Sequence, residues 1–378
     1  MSSALTGLLP HPIVQAPMAG GVSVPQLAAA VSEAGGLGFL AAGYKTADGM
    51  YQDIKQLRSL TNRPFGVNLF MPQPDYPGAS TGSTGAAVAA PPAAGAVDVY
   101  AHQLAGEAVW YDTELGDPDS GRDDGYDAKL AVLLDNPAPV VSFHFGVPSG
   151  EALESLRRAG TFTLVTATTA EEALAVERAG ADAVVVQGVE AGGHQGSHRD
   201  NPENDGCGIG LLSLVAQVRE SVSLPIVAAG GIMRGSQIAA VLAAGASAAQ
   251  LGTAFLATPE SGAHAVHKEA LTNPLFVRTE LTRAFSGRPA RGLVNRFLRE
   301  HGPYAPAAYP EVHHLTVPLR KAAAKAGDAQ GMALWAGQGH RMARELPAGR
   351  LVEVLVSELA AARTALSQDF PAAEGGAR

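Results

Sequence analysis

Residues 184–196 read VVVQGVEAGGHQG. Three valines with the character of a buried strand run into a glutamine, a pair of glycines and a histidine. A connecting turn needs only one or two glycines, and a glycine pair leaves bare main-chain amides that a ligand can approach closely. The same grammar recurs along the chain. Short apolar runs at 13–15, 37–40, 65–68, 140–143, 163–166, 183–186, 226–229 and 248–251 lack polar alternation, as parallel strands covered on both faces do. Alanine-rich stretches of helical period lie between them, at 24–34, 47–60, 150–159, 170–179, 211–222, 235–244 and 259–271. Between the third and fourth strands the helix is interrupted, at 97–110 and 126–135. The tripeptide AGG, AGA or AGT closes helices at 34–36, 159–161, 179–181 and 244–246, its glycine suited to a left-handed cap. Eight β/α pairs in order predict the α/β class, as a (β/α)8 TIM barrel over residues 1–272. An open doubly wound sheet is the structural alternative.

Two segments break this rhythm within an irregular insert near 72–127. Residues 72–96 are rich in Pro, Gly, Ala, Ser and Thr and read as a mobile or irregular loop; residues 112–127 are acidic and read as an exposed excursion. Residues 273–340 follow no β/α period and read as an added lid or substrate subdomain. A C-terminal helix near 351–366, within a segment 341–368 packing on the barrel, and a frayed tail at 369–378 complete the expected organisation.

With 378 residues and 46% hydrophobic composition, the chain can bury a large core. The net charge of −9 argues against nucleic acid or an anionic membrane surface as the main partner, though not against a local phosphate pocket built from backbone N–H groups. The single cysteine, Cys207, excludes an intrachain disulfide and a thiolate metal cluster, and no adjacent cation marks it as reactive. The start, MSSALTGLLPHPIVQAP, lacks a signal peptide's charged and apolar regions, and no apolar run reaches membrane-spanning length. The expectation is a soluble cytoplasmic protein; the sequence leaves its oligomeric state open.

In such barrels chemistry sits where strands end. The first strand ends in Gln15-Ala16-Pro17-Met18, the third in Asn68, the fourth in His144 and the sixth in Gln187, leading to Gly192-Gly193-His194. Strand seven ends in Gly230-Gly231 and strand eight in Gln250-Leu251-Gly252-Thr253. The rim is thus uncharged, polar and glycine-rich, which suits a large neutral heterocycle with hydrogen-bonding edges better than a sugar or a metal. Glycines after strands seven and eight stand where barrels commonly hold a ligand phosphate. No metal site is evident: His313 and His314 are adjacent, and His264 and His267 have helical spacing but no carboxylate companion. No G-x-S-x-G elbow supports a serine hydrolase.

These motifs, in this order, resemble the nitronate monooxygenases, formerly called 2-nitropropane dioxygenases, a family of FMN-dependent barrels. The resemblance covers roughly residues 11–340. It rests on PIVQAPMAGG (12–21), AVSEAGGLGFL (30–40), PFGVNLF (64–70), SFHFG (142–146), EAGGHQG (190–196), AAGGI (228–232), QLGTAFLAT (250–258) and FSGRPARGLVNRF (285–297). It implies that Ala16 and Met18, with Pro17 between them, pack by the edge of the isoalloxazine ring, and that Asn68 and Gln187 hydrogen-bond to the cofactor. It also implies that Gly192, Gly193, Gly230, Gly231, Gln250, Leu251, Gly252 and Thr253 bind FMN, with glycine amides and Thr253 serving the phosphate. His194 matches the active-site histidine, with His144 sharing its role. The implied reaction takes an alkyl nitronate, propionate 3-nitronate being the family-level expectation, and O2 to a carbonyl compound and nitrite, a detoxification. A hydrogen-bond-donating His194 would anchor the anion; a neutral one could act as base toward a nitroalkane. Arg288 and Arg291 either guide an anionic substrate or pin the added segment, and Tyr309 and the WAGQG run (335–339) stand as candidates to close over the flavin. Two other readings stay open. One is the flavin-dependent enoyl-acyl-carrier-protein reductase, which shares EAGGH but has a QGGMAW-like first motif where this chain has QAPMAGG. The other is a flavin-binding protein without turnover.

Overall fold

The computed structural model describes residues 3–73, 95–202 and 208–369. Cys207, most of the 72–96 insert and the tail beyond 369 lie outside the described residues. The elements follow in chain order: α1 (Ser3–Leu8), β1 (Ile13–Gln15), α2 (Pro25–Glu33), β2 (Gly38–Ala41), α3 (Ala47–Leu60) and β3 (Phe65–Phe70). Next come α4 (Ala96–Trp110), α5 (Tyr126–Asp135), β4 (Val140–His144), α6 (Gly150–Arg158), β5 (Phe162–Ala167), α7 (Ala170–Ala179), β6 (Ala183–Gln187) and β7 (Gly193–His194). The chain continues through α8 (Leu211–Ser221), β8 (Ile226–Ala229), α9 (Gly235–Ala243), β9 (Ala248–Leu251), α10 (Thr253–Leu256) and α11 (Ala265–Thr272). Last are β10 (Thr279–Thr282), β11 (Ala290–Leu293), α12 (Arg296–His301), α13 (Glu311–Lys325) and α14 (Ala348–Asp369).

Eight parallel strands run in the order β1-β9-β8-β6-β5-β4-β3-β2. The ends of that sheet meet through Leu37, whose N–H donates to Ile13 O and whose carbonyl accepts from Gln15 N–H, both at 2.9 Å. This is the expected TIM barrel. Period-two alternation sorts the strand side chains. Val184 and Val186 face the helix layer, while Val185 joins Val14, Phe39, Leu164 and Val227 in the barrel interior, where Leu5 of α1 and Leu9 just after it also pack. Gln187, one step beyond Val186, therefore points up into the mouth. The helix layer closes tightly: a Cβ on Gly235 would lie 2.3 Å from the Leu359 N of α14, so α9 and α14 meet only through a glycine.

Beyond the barrel mouth a second sheet, β10-β11-β7, is antiparallel. It registers Ala290 of β11 against His194 and Arg291 against Gly193. A separate apolar cluster joins Tyr100 and Leu104 of α4 to Phe285, Phe297, Val312, Leu315 and Leu319. The helix expected at 97–110 as part of the third β/α unit is thus present, but it packs away from the barrel. Its buried Tyr100, Leu104 and Glu107 form one narrow stripe that meets the post-barrel segment. The helix α5 alone packs against β3, α3 and α6. Glu107 takes Arg296 on both carboxylate oxygens and His301 at 3.2 Å; burial alone would raise its pKa, but these partners hold it below the usual value. The helix expected from Pro259 begins only at Ala265, where His264 Nδ1 accepts the Val266 N–H at 3.3 Å as its cap. Among the described residues no helix is long and apolar enough to cross a membrane.

Candidate active site

The loops leaving the C-terminal ends of the strands surround a cavity of about 530 Å³, within the size range of small-molecule sites. Its wall brings together Ala16, Pro17, Met18, Asn68, His144, Gln187, Gly192, Gly193, His194, Gly230, Gly231, Gln250, Gly252 and Thr253. Leu251 is not among them: its side chain is buried in the helix-facing core and its carbonyl accepts the Ala16 N–H at 2.8 Å.

Local hydrogen bonds set each wall. Met18 N–H donates to Ser23 Oγ at 2.9 Å, and Gln15 fixes that serine from below at 2.9 Å, which orders the loop after β1. Asn68 Nδ2 donates to Ser142 Oγ at 2.9 Å. Gln187 uses both ends of its amide on the loop after β6, donating to His194 O at 3.1 Å and accepting Gly196 N–H at 2.7 Å. The glutamine that ends β6 thus grips the histidine's own backbone.

The glycines fall at two kinds of position. A Cβ on Gly192 would lie 2.5 Å from Gly337 N, so the WAGQG run packs directly on the loop after β6. Gly193, Gly230 and Gly231 have φ of 75°, 146° and 65°, conformations that leave their backbones open and that side-chain-bearing residues avoid. Gly337 N–H donates to Thr253 Oγ1 at 2.9 Å, which ties this end of the cavity together. No Asp or Glu lines the cavity among the described residues. Amide-rich, acid-free and large enough for a ring system, the walls fit an anionic heterocycle such as FMN, which Asn68, Gln187 and the backbone N–H groups at Gly192, Gly230, Gly231 and Gly252 would hold.

His194 stands at the head of the cavity, with Trp335 and Tyr309 at ring distances of 5.6 and 5.7 Å. Its Nε2 lies 2.9 Å from Ser286 Oγ, and that hydroxyl donates to Arg288 O at 3.2 Å. The serine bridges the imidazole and the Arg288 carbonyl and so fixes the orientation of the ring. Burial, then the positive charge of Arg288, pushes the His194 pKa down to about 3. Burial and Arg288 also take His144 to about 3, against a hydrogen bond to the His194 backbone. Both rings are therefore neutral near pH 7.

The two arginines of the 285–297 motif separate in role. Arg291 Nε donates to Val189 O at 2.8 Å and its Nη1 reaches Thr279, so it pins the post-barrel sheet. Arg288 is fully buried, donates to Gln73 Oε1 at 2.7 Å and to Ser197 O, and lays its guanidinium 4.1 Å above Phe145. It stands behind His194 rather than in the cavity wall.

Sequence reasoning missed part of this wall. Tyr44 follows β2, which like β5 ends in none of the residues expected from the sequence; it stacks on His313 at 3.9 Å, and its hydroxyl lies 3.1 Å from that of Tyr309. His267 and His313, expected to be ordinary core or surface histidines, both line the cavity, with His267 Nε2 3.0 Å from Trp335 O. Arg320 also lines it. The signal lay in the spacing of His313, Thr316 and Arg320, one face of a helix, within a segment that showed no β/α period.

Comparison with known proteins agrees with this geometry. The family pattern described as nitronate monooxygenase matches residues 2–358. A nitronate monooxygenase of Pseudomonas aeruginosa is 44% identical over 368 residues, covering 95% of this chain and 99% of that one. One from Paraburkholderia phytofirmans is 41% identical, covering 92% of each. Among solved structures, nitroalkane oxidase from Streptomyces ansochromogenes superposes with a TM-score of 0.91 at 79% identity, over 97% of this chain and 100% of that one. FabK from Thermotoga maritima is more distant, at a TM-score of 0.68 and 28% identity over 97% and 98%. The chain belongs to the nitronate monooxygenase family and is an oxidoreductase.

Proposed function

We propose that the protein binds FMN in this cavity and oxidises alkyl nitronates, propionate 3-nitronate among them, with O2 to a carbonyl compound and nitrite, as a detoxifying enzyme of the cytoplasm. The observation that carries the reading is His194: neutral, oriented by Ser286, and set at the head of an acid-free, glycine-lined cavity. When bound, FMN supplies the acceptor for the substrate's electrons and passes them to O2.

The chain's own residues do the rest. Ala16, Pro17 and Met18 form one wall for the ring, and Asn68 and Gln187 offer amide edges to it. The backbone N–H groups at Gly192, Gly230, Gly231 and Gly252, with Thr253, hold the phosphate. The positive field of Arg288 and Arg320, unopposed by any lining carboxylate, draws in a nitronate anion. From a neutral nitroalkane, the neutral His194 imidazole takes the α-proton and produces the nitronate in place. The name of the Streptomyces relative, a nitroalkane oxidase, supports that wider substrate range. His144 braces the His194 loop from below, and Trp335 and Tyr309 exclude water from the ring's side.

The test is anaerobic mixing of the yellow holoprotein with ethyl nitronate. Bleaching of the flavin band, with nitrite appearing when air is admitted, is the expected result. A flavin that ignores several nitronates but bleaches with NAD(P)H would replace this reading with an enoyl-acyl-carrier-protein reductase. Inertness to every donor would leave a flavin-binding protein without turnover.

A further inference from the structure

The sheet beyond the barrel runs in the order β10-β11-β7, so among the described residues β10 has a neighbouring strand on one side only. Hydrogen-bond alternation fixes which main-chain groups face its open side. Gln195 N–H donates to Pro289 O, which turns the odd-numbered residues of β11 toward β7 and the even-numbered ones toward β10. Val294 N–H accordingly donates to Arg278 O at 3.1 Å. With Thr279 in register with Leu293, Arg278, Glu280 and Thr282 bond to β11, and Val277, Thr279 and Leu281 turn their N–H and C=O groups outward. Thr279 O accepts Arg291 Nη1 at 3.3 Å and keeps a second lone pair. A groove of about 640 Å³, lined by Leu281, Thr282, Pro289, Leu298 and Pro303, leaves space beside the strand.

Exposed edges are usually blunted by lysines, prolines or bulges. This one instead carries Val277, 61% exposed, and follows Leu275, 78% exposed. Arg278 and Glu280 lie on one face, two residues apart, and form an ion pair at 2.8 Å in solvent. Residues 277–281 read VRTEL: apolar, cation, threonine, anion, apolar. Laid antiparallel on itself about Thr279, this segment sets Arg278 against Glu280, Val277 against Leu281, and Thr279 against its own copy. Outward residues must pair with outward residues, so the centre of any such pairing falls on a residue. Moving that centre by one residue sets Arg278 against Arg278 or Glu280 against Glu280. Backbone alternation and charge order therefore select one register between them.

We propose that β10 is a dimerisation edge, on which a second copy of this chain adds its own β10 antiparallel, joining two three-stranded sheets into one of six strands. A two-fold contact needs a surface that fits itself, and the VRTEL edge does so in charge, in apolar contacts and in main-chain groups. A strand pair this short lies toward the low end of the roughly 1,200–2,000 Å² of stable interfaces, so the dimer forms reversibly. The inference goes beyond nitronate oxidation and does not depend on it.

The experiment is sedimentation velocity of the native holoprotein from low to high micromolar concentration, where a monomer–dimer equilibrium is expected. Glu280→Arg makes the edge wholly cationic and Arg278→Glu makes it wholly anionic. Each alone sets like charges opposite and is expected to weaken the dimer about 10- to 100-fold. Mixed in equal amounts, the two variants are expected to form a heterodimer at least as tight as the native dimer, because every charge then faces its opposite. Both variants lack the ion pair within the chain, so its loss cannot produce recovery on mixing. Thr279→Pro removes an outward N–H that the β10–β11 ladder does not use, and is expected to abolish the dimer by itself. A native protein that stays monomeric throughout would overturn the proposal. So would a dimer that none of these variants weakens, which would place the contact elsewhere, as on the exposed Val109 and Trp110 of α4.

Discussion

Ser286 Oγ, 2.9 Å from His194 Nε2 and 3.2 Å from Arg288 O, holds the His194 ring in place from one side. Replacing His194 with Gln is expected to cut turnover of a neutral nitroalkane by about 100- to 10,000-fold, and turnover of preformed nitronate by much less, since only the former needs a proton removed. Steady-state rates on the two forms of one nitro compound check this; equal losses would assign His194 to anion binding alone. Gly196 makes a second case at this scale. A Cβ there would lie 2.5 Å from His144 Cε1 and 2.9 Å from its Nδ1, so Gly196→Ala is expected to displace the His144 ring and cost about 1–3 kcal/mol, read from urea midpoints. Residues such as His194 and Gln187 were legible in the sequence because they end a strand, where chain order alone gives the rim. Arg320 and His313 were not, because they reach the cavity from a helix that tertiary packing places there.

At the level of elements, what the sequence discloses follows burial. Strands such as Ala183–Gln187 are apolar on both faces and bounded by glycine caps, so their type and limits could be read within a residue or two. Thr279–Thr282 and Ala290–Leu293 carry no such pattern: the first is largely polar, and the second is buried at all four positions, which erases the alternation of a half-exposed strand. For α4 the helix type was legible but its packing partner was not, since an apolar stripe shows that a face is buried and not against what. That partner is held by charge as well. Glu107 is buried on α4 and bonded to Arg296 and His301, so Glu107→Gln leaves the guanidinium with the exposed Glu300 as its one remaining carboxylate partner among the described residues. We expect a loss of about 1–3 kcal/mol. Faster hydrogen exchange should then appear in α12 and α13 while the barrel strands stay protected; uniform loss of protection would show that the two parts unfold as one.

For the molecule as a whole, the cavity histidines set the response to acid. Burial holds His144 and His194 down at about 3, His267 at about 4 and His313 well below its ordinary value. An unfolded chain protonates the same rings near 6.5, so below that pH it binds more protons than the native state. Stability is therefore complete above about pH 6.5 and falls as the pH drops toward 4, each ring contributing about 1.4 kcal/mol per pH unit in that window. Thermal melts at pH 7 and pH 5 should differ by about 5 °C or more. His267→Gln, which retains a donor for Trp335 O, should reduce the slope by one ring's share; an unaltered slope would show that His267 is protonated in the folded state. The pairing of Ala290 with His194 and of Arg291 with Gly193 has a wider consequence. The histidine belongs by its backbone to the sheet beyond the barrel, although its position in the chain belongs to the barrel. Any recombination that exchanged residues 273–340 for the cover of another barrel would re-aim His194 at the same stroke, so cover and chemistry can be inherited only together.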